Sequence, residues 1–114
     1  MNTYCVTRTI PDAADFGPDA LRTIATTSVA ARAALGLDAN KMHWVESAVT
    51  GPNEVTCIIQ ATDEDVIRQH SLNGGFPVDK ITLVEEALAL TFFNTLSPNL
   101  RFGPADAGPA ERAA

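Results

Sequence analysis

"KMHWVESAVTGPNEVTCIIQA", residues 41–61, decides the fold. Two runs rich in β-branched residues flank Gly51-Pro52-Asn53-Glu54, and turn chemistry between two such runs predicts a hairpin. Strict alternation in the first run, 41–50, sets Met42, Trp44, Glu46 and Ala48 on one face and His43, Val45, Ser47 and Val49 on the other. The second run, 55–61, is a strand carrying Cys57.

Upstream, "TYCVTRTI" (3–10) is a further period-two strand, with Tyr4, Val6, Arg8 and Ile10 on one face, ended by Pro11-Asp12. Pro18 suits a first helical position and Asp19 complements the helix N-terminus. Leu21, Ile24, Ala25, Ser28, Val29 and Leu35 repeat at helical spacing, and Gly36 stands where a left-handed cap belongs, so a helix is predicted over 18–35.

Downstream, Thr62-Asp63-Glu64-Asp65 resembles a capping box with Thr62 as the cap. Val66, Ile67, His70 and Ser71 share one helical face, and Gly74-Gly75 ends that helix. "DKITLVEEALA" (79–89) predicts a fourth strand to about residue 88, although "EEALALTFFNTL" contains helix formers and leaves the next stretch open.

The order β-α-β-β-α-β, with a hairpin between two strand–helix units, predicts an α+β, ferredoxin-like domain over 1–96. Its four-stranded antiparallel sheet would run 4-1-3-2, with two helices on one face. The other face would be bare, and a homodimer through that open sheet face is expected. Residues 97–114 form a Pro/Gly/Ala-rich C-terminal extension in which Leu100 and Phe102 are the candidate anchors.

Composition narrows the function. A chain of 114 residues with 46% hydrophobic and 19% charged residues is one globular domain. A net charge of −6, with eight scattered Lys and Arg, excludes the basic face that nucleic acid requires. The most apolar stretch, "ALALTFF" (87–93), is too short to span a bilayer, and "MNTYCVTRTIPD" lacks the basic and apolar regions of a secretory signal. A cytoplasmic, membrane-free protein is expected. Cys5 and Cys57 stand alone without C-x-x-C spacing and read as small buried hydrophobes.

The ordered set "YCVTRTIP", "LRTIATTS", "WVESAVT", "VTCIIQA", "IRQH" and "GFPVDKITLV" resembles the family called domain of unknown function 4242, which includes a bacterial nickel-binding protein. The similarity runs from Tyr4 to Glu86. It implies a ferredoxin-like fold, a homodimer and binding of Ni²⁺ or another divalent transition metal. It implies no known reaction.

Ionisable side chains on the apolar faces supply the candidate site. Val6–Arg8–Ile10, Trp44–Glu46–Ala48 and Ile81–Leu83–Glu85 each hold one charge, and buried charges require partners. In the expected strand order Arg8 would pair with Glu85, which leaves Glu46 without a partner. Glu46 and His70, with His43 and Cys57, are then the candidate metal ligands, since imidazole and carboxylate suit nickel or zinc. His43 is out of phase with Glu46 on a regular strand, and no H-x-x-x-H or Cys/His cluster exists. For His70 the competing reading is a satisfied core histidine near a helix end.

Tyr4, Arg8, Trp44 and Glu85 are the candidates for binding a small polar ligand. "SLNGG" closes a helix and is no phosphate loop, and no serine sits in a G-x-S-x-G elbow. Two function classes therefore stand: a dimeric metal- or ligand-binding module, or a small dimeric α/β-barrel-type enzyme (monooxygenase, isomerase or cyclase) acting on a hydrophobic metabolite. A large sheet–helix cavity would mark the enzyme.

Overall fold

Strand β2 (Met42–Gly51) and strand β3 (Glu54–Ala61) form the hairpin, joined by Pro52 and Asn53, in a computed structural model that describes residues 1–38 and 40–107. Strand β1 (Asn2–Thr9) lies antiparallel to β3, and β4 (Lys80–Val84) antiparallel to the other edge of β1. Helix α1 (Pro18–Ala34) and helix α2 (Glu64–Gly74) pack on one face of this sheet. Leu21 and Ala25 of α1 and Ile67 of α2 meet Val6, Trp44, Val55 and Ile59 of the strands in one core.

Helix ends follow local chemistry, with one shift. Pro18 opens α1, and Gly36 behind it takes a left-handed φ of 65°. The cap of α2 is Asp63, one residue later than Thr62: its carboxylate accepts from the Val66 backbone N–H at 3.1 Å. An ionised carboxylate is the stronger acceptor and lies nearer the positive helix end.

Two expectations are corrected beyond Val84. The fourth strand stops there, and Glu86–Phe93 form a third helix, α3, because the Ala- and Leu-rich segment has no further strand to pair with and follows its helix propensity. Helix α3 lies on the sheet face expected to be bare, where Phe93, 1% exposed, packs on Ala48 and Ile58.

The sheet has five strands, in the order β4-β1-β3-β2-β5, where the sequence predicts four. The added strand β5 (Arg101–Phe102) comes from the C-terminal extension and pairs with Ser47 and Ala48 on the outer edge of β2. Phe102 is buried and meets the Trp44 ring edge-on at 5.9 Å between centroids, while Leu100 packs at the border of the core. Among the described residues the architecture is α+β, with three α-helices and an antiparallel sheet. Among the described residues no helix is long and apolar enough to cross a membrane.

Candidate functional site

Period-two alternation carries Tyr4, Val6 and Arg8 to the helix-covered side of β1. Arg8 is only 3% exposed there. Its Nη1 donates to Ser71 Oγ at 2.9 Å and to the Pro77 carbonyl at 3.0 Å. The guanidinium carbon stands 5.5 Å from the centre of the Phe76 ring, within cation–π range. Among the described residues no carboxylate forms an ion pair with Arg8.

His70 is the second polar group of this interior, on the buried face of α2 beside Ser71. Its Nε2 lies 2.9 Å from the Ser28 carbonyl and 3.3 Å from Ser28 Oγ. A carbonyl only accepts, so Nε2 carries the proton and Nδ1 presents a bare lone pair. Nδ1 is buried and has no hydrogen-bond partner among the described residues. Burial holds the His70 pKa below the usual 6.5; the Ser28 carbonyl bond pulls it up, and the Arg8 and Arg32 charges lower it further. His70 is a neutral acceptor at physiological pH.

The Gly-Gly-Phe-Pro break after α2 closes this interior. Gly75 adopts φ 74°, a left-handed turn that sends the chain back over the helix end. A Cβ on Gly74 would stand 2.6 Å from the Phe76 ring, so only glycine admits the ring there. Phe76 thereby covers both Arg8 and His70, with its centroid 6.1 Å from the imidazole.

Arg8, His70, Trp44, Ser47, Cys57 and Phe76 line a cavity between sheet and helices, about 20 Å³ of space for the centre of a water molecule. The Trp44 indole N–H donates to Ser47 Oγ at 2.8 Å. Tyr4 is buried in the same core, its hydroxyl accepting from the Asn2 amide at 3.3 Å.

Glu46 and His43 stand on the opposite sheet face, for a reason absent from the periodicity. The β2–β3 register slips between Trp44 and Glu46: Trp44 faces Ile59, Glu46 faces Ile58 and Ser47 faces Cys57. The extra residue, Val45, is a bulge that reverses the phase of Glu46 to Val49, up to a second shift before Gly51. Trp44 and Ser47 therefore share the cavity side, whereas Glu46 joins Ala48 and Ile58 on the α3 side. His43, exposed and opposite Gln60, falls on that same side, so the bulge puts His43 and Glu46 in phase where a regular strand would part them.

The charge pairs expected from regular alternation change accordingly. Glu46 finds its partner in Arg101 of β5, with Oε1 and Nε 3.5 Å apart. The Arg8–Glu85 pair does not form. Antiparallel pairing sets Thr7 against Lys80 and Thr3 against Val84, so Arg8 and Glu85 lie at opposite ends of the β1–β4 ribbon. Six residues along a strand separate them by about 20 Å. Glu85 is exposed at the N-cap of α3.

Residues 4–84, more than half of the chain, match the family described as "Nickel responsive protein SCO4226-like". The chain belongs to the SCO4226-like family of nickel responsive proteins. No curated protein and no solved structure matches it. The match carries the nickel relation that the resemblance to domain of unknown function 4242 implies; that narrower family name is not what matches.

For an SCO4226-like chain the first chemical question is where a divalent cation fits. The helix-side cavity fits poorly: His70 Nδ1 is one donor, Cys57 a second candidate, and the buried Arg8 cation repels a metal beside them. On the α3 side His43 and Glu46 supply imidazole and carboxylate on adjacent same-face positions. Among the described residues no group of three or more His, Cys, Asp and Glu converges. The residues of this SCO4226-like chain that the C-terminal segment adds, α3 and β5, lie beyond the matched region.

Proposed function

We propose that the protein is a small, dimeric nickel-binding module with a ferredoxin-like core, and that His43 and Glu46 of two subunits together hold the ion. The bulge at Val45 carries this reading, because it brings an imidazole and a carboxylate onto one accessible face. Nickel takes a square-planar or tetragonal set of N and O donors, more than one subunit offers at this place. A second copy against the same face supplies a matching pair by two-fold symmetry. Leu88 and Phe92, 67% and 52% exposed on α3, give that face an apolar surface to bury. The small volume of the sheet–helix cavity weighs against a hydrophobic metabolite and with it against the enzyme reading.

Isothermal titration with Ni²⁺, run beside sedimentation velocity, tests the proposal. The expected result is saturable binding to a dimer, weakened at least tenfold by His43→Ala and by Glu46→Gln and unchanged by His70→Gln. Binding that survives both face variants, or that His70→Gln abolishes, would overturn the assignment.

A further inference from the structure

We infer that the cavity between the sheet and helices α1 and α2 is a binding site for a small oxyanion that also bears a hydroxyl group, with Arg8 holding the anionic oxygen and His70 Nδ1 accepting the hydroxyl proton. Bicarbonate is the smallest such molecule. This site lies on the face opposite His43 and Glu46 and is independent of nickel.

Charge is the first ground. Arg8 carries a guanidinium charge, is almost wholly removed from solvent, and has no carboxylate counterion among the described residues. The Phe76 face and two neutral oxygens soften that charge without neutralising it. Hydrogen-bonding capacity is the second ground. Nη1 makes both of the bonds from the guanidinium to Ser71 and Pro77, and Nε and Nη2 make no hydrogen bond to the described residues, so Arg8, which lines the cavity, keeps donors to spare.

His70 decides which anion. Its Nδ1 is a buried acceptor with no donor facing it among the described residues, and the proton on Nε2 is committed to Ser28. An anion that only accepts, such as nitrate, acetate or chloride, would place lone pair against lone pair. An oxyanion with one O–H satisfies Arg8 and His70 at once. Cavity size limits the ligand to a few non-hydrogen atoms, and the flat rings of Trp44 and Phe76 among its walls suit a planar one. A metal cation is disfavoured by Arg8 itself. A lone water would meet the hydrogen bonds but leave the charge uncompensated.

The 114-residue protein, degassed and kept in carbonate-free buffer at mildly alkaline pH, is titrated with sodium bicarbonate and, separately, with sodium nitrate and sodium acetate. Trp44 emission and calorimetric heat are followed. The expected result is saturable bicarbonate binding at least tenfold tighter than either control, because only bicarbonate pairs with Nδ1. Arg8→Gln should weaken bicarbonate at least tenfold. Should that variant not fold, two others test the same point: Ile24→Phe, which fills the cavity from α1, should abolish the response, and His70→Gln should bring bicarbonate and nitrate to equal affinity. Equal binding of all three anions to the wild type, absence of saturation, or a crystal grown in bicarbonate with only water between Arg8 and His70 would each overturn the inference.

Discussion

Acid should destabilise this protein through His70, and His70→Gln should remove the effect. The histidine is 2% exposed, its Nε2–H donates to the Ser28 carbonyl, and Arg8 and Arg32 both oppose a second proton. Burial keeps its folded pKa below the unfolded 6.5, so between those two values the unfolded chain binds more protons than the native one. Stability from the neutral imidazole is complete above 6.5 and is lost as the pH falls toward the folded pKa. The slope cannot exceed about 1.4 kcal/mol per pH unit for one proton, which limits the loss to about 2 kcal/mol by pH 5. Glutamine keeps an N–H where Nε2 stands and does not titrate, so the variant preserves the bond to Ser28. Urea unfolding of both proteins is measured from mildly alkaline to mildly acidic pH in oxyanion-free buffers, and the difference in unfolding free energy is plotted against pH. His43, exposed in both proteins, cancels in that difference. The expected curve is flat above neutrality and falls for the wild type below 6.5. A flat difference throughout, or a wild type that gains on acidification, would refute the neutral, buried assignment of His70.

Three further outcomes test other parts of the structure. Phe102→Ala removes a side chain that is 4% exposed and edge-on to Trp44; urea unfolding should show a loss of about 3–5 kcal/mol with a red shift of Trp44 emission, whereas a loss under about 1 kcal/mol would mean that the extension does not anchor there. Gly74→Ala should cost about 1–3 kcal/mol by driving a methyl into Phe76, and Gly74→Ala combined with Phe76→Ala should be less damaging than the two losses added; strict additivity would deny the contact. Arg101→Gln frees Glu46 from a half-exposed ion pair of about 0.2–1 kcal/mol, so nickel affinity should rise by up to about fivefold in calorimetry, and a fall would contradict the role of Glu46 as a ligand.

Local chemistry carried most of the fold. Alternation in 3–10 and 41–50 and the β-branched run 55–61 mark β1, β2 and β3, helical spacing marks α1 and α2, and Gly36 and Gly75 end those helices in left-handed turns. The same local logic misplaced strand β4 beyond Val84, since Glu, Ala and Leu fit either element and only the lack of a pairing strand selects the helix. Of the candidate site residues, Arg8, Trp44, Cys57 and His70 line one interior, although the sequence divided them between a metal set, with His70 and Cys57, and a ligand set, with Arg8 and Trp44. Ser28, Ser47 and Phe76 complete that interior; Ser28 already stood in the helical repeat of 18–35, whereas regular alternation set Ser47 on the face opposite Trp44.

By itself, then, the sequence determined strands β1, β2 and β3 and helices α1 and α2, because propensity and periodicity act between neighbours in the chain. Tertiary structure alone decided which charges meet. A single extra residue at Val45 exchanges the faces of Glu46 to Val49, and the antiparallel register carries Glu85 to the end of β1 remote from Arg8. A distant arginine at position 101 takes Glu46, while Arg8 and His70 are enclosed together. Register and bulges are set by the fit of whole faces against the core, a sum over long-range contacts that no local pattern contains.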